Sequence, residues 1–332
     1  MTEQCTMLQA INWALHDAMA EDSTVLMLGE DVADPEGGGV VGATRGLSSA
    51  FGDERVKSTP ISEQAIVGAA IGASLIGFKP VAEIMLMNFM TVASDMVVNH
   101  AAKLRFMSGG QTNVPITIRT MTGPGMGNGG QHSDYLEAWF AHTAGLKVVL
   151  PATPADAYGL LRSCIEDPDP CIFIEMMPQL WTKGEGPVRG SRIPLGKARI
   201  VREGTDVSII GYGRLIHEAA GLADKLAQQH ISLEVVDLRT VSPFDLDAIL
   251  ASVSKTGAAI IVHEAVRRFG VGAEIASTIH EHLHSRLRAP VQRIGAKYAP
   301  VPFSKVLETA SVPSLDEVEA AVRRLARAPV CP

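Results

Sequence analysis

The chain has 332 residues, 46% of them hydrophobic and 20% charged, with a formal net charge of −7. A length and apolarity of this kind imply two globular domains with large buried surfaces. An acidic balance with no Lys/Arg run argues against nucleic acid and anionic membranes as partners. The longest apolar run, 65–78, is too short and too Gly-rich to span a bilayer.

The spacing Leu8, Ile11, Leu15, Met19 predicts a first helix over 6–20. A short strand over 24–28 ends at Gly29-Glu30-Asp31. The Gly-rich stretch 34–42 reads either as a phosphate cradle or, with no Lys-Ser/Thr after it, as a plain flexible loop. Strands are predicted at 81–85, 114–120, 146–150 and 171–175, with helices at 93–105, 136–142 and 153–165. The stretch 121–131 holds Gly123, Gly125, Gly127, Gly129 and Gly130 and reads as a mobile loop ending at His132. Beyond Glu175, 178–196 is Gly/Pro-rich without periodicity and is expected to link a first domain, 1–177, to a second, 197–332. In the second half, strands at 207–211, 233–238, 258–263 and 291–294 alternate with helices. A last helix begins at Ser314, with Glu317 completing a capping box. This alternation predicts an α/β protein with two open, mostly parallel sheets and flanking helices.

One stretch stands out, Thr59-Pro60-Ile61-Ser62-Glu63. Pro60 disfavours helix at Thr59, and Ser62 suits the cap of a helix beginning at Glu63. That helix contains almost no polar residue, so burial on most sides is expected, with a desolvated carboxyl group of raised pKa at its mouth. Such an acid can share a proton near neutral pH. The alternative is a solvated first-turn Glu favoured by the helix dipole.

Other motifs leave alternatives open. Gly211-Tyr212-Gly213 between a strand and a helix suggests a dinucleotide turn, but Ile216 stands where the third glycine belongs. His280, His282 and His284 alternate, which does not place all three on one helical face. His263-Glu264 ends a strand, where ligands of parallel sheets collect; the alternative is a turn hydrogen bond. His132, at the end of a glycine loop, is either a proton carrier or a loop side chain bonded locally. Cys5, Cys164, Cys171 and Cys331 have no CxxC spacing and read as reduced thiols of a cytoplasmic protein. Glu3, Asp17 and Glu21 near the start fit neither a signal nor a transit peptide.

Taken together, Leu28-Gly29-Glu30-Asp31-Val32, Thr59 to Glu63, Met107-Ser108-Gly109-Gly110, Gln131-His132-Ser133, Gly145-Leu146-Lys147-Val148-Val149, Phe269-Gly270-Val271-Gly272-Ala273-Glu274 and Pro300-Val301-Pro302 resemble the β subunits of thiamine diphosphate-dependent 2-oxo acid dehydrogenases. That branch includes pyruvate, branched-chain 2-oxo acid and acetoin dehydrogenases. The resemblance covers nearly the whole chain, in order.

It implies a pyrimidine-binding domain followed by a transketolase C-terminal-like domain, in a heterotetramer of two α and two β subunits with thiamine diphosphate between an α and a β. It further implies transfer of an acyl unit to a dihydrolipoyl acyltransferase core or another acyl carrier. Magnesium is expected on the α partner, since Gly52-Asp53 is followed by Glu54 and no Asn-Asn pair occurs here. The chain by itself should therefore bind half a cofactor and be inactive.

Glu63 matches the Glu that exchanges a proton with the cofactor's pyrimidine ring, and Phe89 the aromatic that stacks on that ring. Glu30 and Ile61 match residues beside the ring, and His132 the histidine that assists protonation or transfer. A structural potassium ion of some members matches Ile116, Cys164, Ile165, Asp167 and Asp169. The run 68–77 matches a helix at the β–β contact. Departures at Asp134, at 176–181 and in the loop 123–131 count against pyruvate as donor. An acetoin- or ketose-cleaving relative and a non-catalytic docking chain are the alternative readings.

Overall fold

The computed structural model describes residues 3–326 and divides into two compact units. The first reaches Leu195 but omits 124–130; those seven residues pack with the second unit, which continues from Gly196. Cys331 lies outside the described residues.

In the first unit, strands Lys147–Val149, Cys171–Met176, Thr117–Thr122, Lys79–Leu86, Val25–Gly29 and Val56–Ser58 lie side by side in that order. Every pairing among them is parallel. Parallel strands covered on both faces need apolar side chains throughout, and Cys171–Met176 and Thr117–Thr122 are buried at every position. Helices Met7–Glu21 and Pro154–Glu166 pack on each other and close part of this core. The chain runs from Val25–Gly29 outward to Val56–Ser58, then returns to Lys79–Leu86 on the other flank of Val25–Gly29. A crevice forms at the carboxyl ends of strands where the winding reverses in this way. Glu30 follows one of these two strands, and the 3-10 helix Met87–Thr91, which carries Phe89, follows the other.

In the second unit, Gln292–Ala296, Ala259–Val266, Val207–Gly211 and Leu233–Asp237 form a parallel array with Arg199–Arg202 antiparallel at its edge. Its own core includes helices Arg214–Ala227 and Leu315–Ala326. The two mostly parallel sheets with flanking helices are as the sequence predicts.

Several local features differ. Ser62 does not cap the Glu63–Leu75 helix: its backbone is extended, with φ −164° and ψ 79°, and its hydroxyl makes no cap bond. That helix buries Ile66, Val67, Ala70, Ile71 and Ser74, but Leu75 is 48% exposed, so the expected burial on most sides is absent from the single chain. The stretch expected to be one helix over 93–105 is helical, but Met96–Ala101 within it is π-helix, continued by the α-helix Ala102–Met107. The segment 178–196 carries a strand, Lys183–Glu185, that pairs antiparallel with Gln4–Thr6, so it is folded onto the first unit up to Leu195. The glycine stretch 34–42 is not a loose loop. Gly39 N–H donates to Asp31 C=O at 2.7 Å, Thr44 N–H to Gly38 C=O at 3.1 Å, and Thr44 Oγ1 to Val32 C=O at 2.7 Å.

His263 proves structural. It is 1% exposed, its Nδ1 lies 3.1 Å from Ala265 C=O, and its ring stacks on Tyr212 with centroids 5.8 Å apart. A Cβ on Gly272 would come within 2.7 Å of its Nε2, so this glycine lets the backbone close over the ring. Burial pushes His263 down from 6.5 to about 4. The unfolded chain therefore takes up this proton first, and stability is complete above pH 6.5 and falls as pH drops towards 4. The loss amounts to about 3 kcal/mol. Equilibrium denaturation across this window is expected to show stability falling more steeply on acidification in the wild type than in His263→Phe; equal slopes would contradict the assignment.

Candidate functional site

Thr59 N–H donates to Gly29 C=O at 2.9 Å, tying the segment after Val56–Ser58 to the end of Val25–Gly29. This bond sets Glu30 and Glu63 near each other. Burial raises the Glu30 pKa, and the negative charges of Glu63 and then Asp31 raise it further. A like charge nearby makes Glu30 hold its proton more tightly. Glu63 is half-buried and forms no side-chain hydrogen bond or ion pair with any described residue. It is a carboxylate at the first turn of a helix, available to an external partner. Ile61, two residues earlier, is 82% exposed, an apolar side chain beside that carboxylate with little of this chain covering it.

Phe89 and His132 are brought together: their ring centroids are 5.4 Å apart with the planes at 76°, an edge-to-face pair. The backbone on either side is fixed by side chains. Asn88 Nδ2 donates to Asp134 Oδ2 at 2.9 Å, Asp134 N–H to Asn88 Oδ1 at 3.1 Å, and Thr122 Oγ1 to Asp134 C=O at 2.6 Å. Asp134 is thus the brace between the His132 turn and the 3-10 helix that holds Phe89.

A charged cluster crosses the three adjacent strands beneath these groups, and sequence reasoning missed it. Arg119 Nη1 donates to Glu83 Oε2 at 2.6 Å and Arg119 Nε to Glu175 Oε1 at 2.7 Å. Arg119 is 2% exposed, Glu83 5% and Glu175 0%. Burial pushes Glu175 up to about 7; the Arg119 cation opposes the rise and Glu83 adds to it. One cation between two buried carboxyl groups leaves an excess negative charge, which a proton on Glu175 removes. The signal in the sequence was a charge interrupting each of three apolar runs, Glu83, Arg119 and Glu175. Only the parallel register, which sets Glu83 opposite Arg119, joins them.

The residues expected to hold potassium are engaged internally. Cys171 N–H donates to Ile116 C=O at 2.9 Å and Asp167 N–H to Cys164 C=O at 3.2 Å. Lys147 Nζ donates to Asp167 Oδ1 at 2.6 Å and Oδ2 at 2.7 Å, and Arg105 pairs with Asp169. Ile165 is buried at the end of the same helix. Among the described residues, Cys5, Cys164 and Cys171 are buried free thiols, and no group of three or more His, Cys, Asp or Glu side chains is arranged to hold a metal ion. No helix of the described chain is long and apolar enough to cross a membrane.

The transketolase pyrimidine-binding domain matches residues 3–180 and the transketolase C-terminal domain residues 196–318. The chain is 42% identical to the β subunit of acetoin:2,6-dichlorophenolindophenol oxidoreductase of Cupriavidus necator, covering 98% of both chains. It is 45% identical to the 3-methyl-2-oxobutanoate dehydrogenase β subunit of Mycobacterium tuberculosis, over 99% of this chain and 94% of that one. It is 44% identical to the pyruvate dehydrogenase E1 β subunit of Bacillus subtilis, over 97% and 98%. The chain belongs to the transketolase-like family of thiamine diphosphate-dependent dehydrogenase β subunits. A split-gene transketolase, described as an inactive β4 tetramer, has the same fold, with a TM-score of 0.77 at 22% identity over 97% of this chain and 98% of that one. The family's pyrimidine-binding region therefore contains both the Glu30–Glu63 pair and the Phe89–His132 pair.

The buried cluster yields a stability prediction for this β subunit. Removing the Arg119 cation strands two carboxyl groups in the core, which costs roughly 3–5 kcal/mol. Arg119→Met should show that loss in chemical denaturation of the first domain, and a loss under about 1 kcal/mol would contradict the buried-cluster account.

Proposed function

We propose that this β subunit, with an α subunit in a two-α two-β heterotetramer, cleaves a 2-oxo acid with decarboxylation and passes the acyl unit to a lipoyl group or another carrier. The observation that carries the reading is the Glu63 carboxylate, half-buried, without an internal partner and set beside Glu30. A flat heterocycle with a basic ring nitrogen would suit these residues: the Glu63 carboxylate would hold its nitrogen, and Ile61 and Phe89 would offer it apolar surface. Bound thiamine diphosphate would supply the carbon nucleophile and electron sink that a protein side chain lacks.

The chain's own residues then have distinct tasks. Glu63 holds the proton at a carboxylate oxygen and exchanges it with the ring. Glu30, whose own pKa is raised by burial and by the Glu63 charge, sets a second acid beside it. Phe89 orients the ring and, through its edge contact, His132. His132 holds or delivers a proton at a ring nitrogen during protonation of the product or transfer to the carrier. The half-exposed Glu63 supports the need for a partner surface: desolvation of this acid requires a wall that the single chain does not provide. Magnesium belongs with that partner, because the acidic and amide ligands of a diphosphate-magnesium motif are missing from this sequence.

Potassium would bind through the second lone pairs of the Ile116 and Cys164 carbonyls, with the Ile165, Asp167 and Asp169 segment completing the oxygen set. Lys147 and Arg105 already balance the two carboxylates there. Exchange of potassium for a bulky monovalent cation is expected to lower the melting temperature of the complex by a few degrees. An unchanged melting temperature would remove potassium from the account.

The function is tested by Glu63→Gln in the complex co-purified with the α subunit. The swap keeps shape and removes the exchangeable acid, so turnover with 2-oxo acid donors should fall by at least ~100-fold while assembly persists. Turnover at the wild-type level in the assembled variant would overturn the assignment of Glu63.

A further inference from the structure

The glycine loop 124–130 packs with the second unit, although the residues before and after it belong to the first. Its hold there is specific. Gly125 N–H donates to Glu308 Oε1 at 2.7 Å, and Gly127 N–H to Oε1 at 3.2 Å and Oε2 at 3.3 Å. Glu308 is 2% exposed, and among the described residues no cationic side chain pairs with it. A buried carboxylate without a cation depends on the hydrogen bonds it accepts, so the loop's amides and Glu308 satisfy each other.

The glycines are a steric requirement of this contact. Gly125 and Gly127 have φ of 127° and 71°, backbone that places successive N–H groups towards one acceptor. At Gly129, with φ 73°, a Cβ would lie 2.5 Å from Cε1 and Cζ of Phe303; at Gly130 it would lie 3.1 Å from Cβ of Pro300. Glu308 is itself fixed, its N–H donating to Ser304 C=O at 2.7 Å while its C=O accepts from Ser311 Oγ at 2.6 Å. The loop therefore lies on a platform formed by 300–308. It ends two residues before His132, whose far side is braced by Asp134 and Asn88.

We infer that Glu308 is a positioning residue of the active site: its carboxylate clamps the 124–130 loop and thereby fixes where the backbone delivers His132. The inference rests on the reading of His132 as a proton carrier. It also explains a glycine-rich loop that would otherwise be a source of disorder before a catalytic residue.

The test uses the assembled complex with its α subunit and compares wild type, Glu308→Gln, Phe303→Ala and His132→Ala. Phe303 is 72% exposed, so its truncation loosens the same loop without emptying the core if the Gln variant fails to fold. Three readouts are taken: amide hydrogen exchange of the peptide covering 123–131, kcat and KM with a 2-oxo acid donor, and the pH profile of kcat. Glu308→Gln and Phe303→Ala should each accelerate exchange in that peptide about tenfold or more, lower kcat several-fold with KM for the donor little changed, and displace the limb of the pH profile that His132→Ala removes. Accelerated exchange with wild-type kcat and pH profile, or unaltered exchange in both variants, would overturn the inference. Wild-type activity in His132→Ala would instead remove the His132 reading and the positioning role with it, while leaving any exchange effect as evidence of the clamp.

Discussion

A carboxylate that has no partner of its own is the constraint on which this structure depends. Folding normally satisfies buried or half-buried polar groups internally, and this chain does so even at Glu83, Arg119 and Glu308. Glu63 is left open, half-buried, close enough to Glu30 to raise the pKa of Glu30, and without a side-chain hydrogen bond to any described residue. The sheet topology produces this placement. The winding reverses at Val25–Gly29, where open parallel sheets collect ligands, and the bond from Thr59 to Gly29 ties the segment before the Glu63 helix to that strand end.

Around that acid the chain is rigid where function needs it and open where a partner is needed. The strands beneath are locked by the Glu83–Arg119–Glu175 cluster, and the Phe89–His132 pair is braced by Asn88 and Asp134. In contrast, Ile61, Leu75 and Ile76 are exposed apolar side chains at the two ends of the Glu63 helix. Exposed apolar surface of this kind is what a β subunit needs where another chain is to pack against it.

Much of this was legible in the sequence. The alternation of strand and helix gave both sheets, Ser314 and Glu317 form the capping box that their spacing announces, and the motif around Glu63 pointed to the family. What was not legible depended on tertiary contacts. Ser62 fits a capping position by residue type, but the segment entering the helix is extended there and turns its hydroxyl away from that task. The 178–196 stretch lacks periodicity because its strand is only three residues long, and it is held by pairing with the distant Gln4–Thr6. The charged cluster joins residues 36 and 56 positions apart, a proximity that only strand register creates. The glycine loop before His132 reads as mobile until Glu308, far along the chain, is seen to hold it.

The central claim is that this chain supplies one wall of a cofactor site and no more. Calorimetric titration of thiamine diphosphate with magnesium into the isolated β chain, then into the same chain with its α subunit, tests it most directly. The account predicts no saturable binding to the isolated chain and stoichiometric binding once the α subunit is present. Equal affinity for the isolated chain and the complex would contradict it.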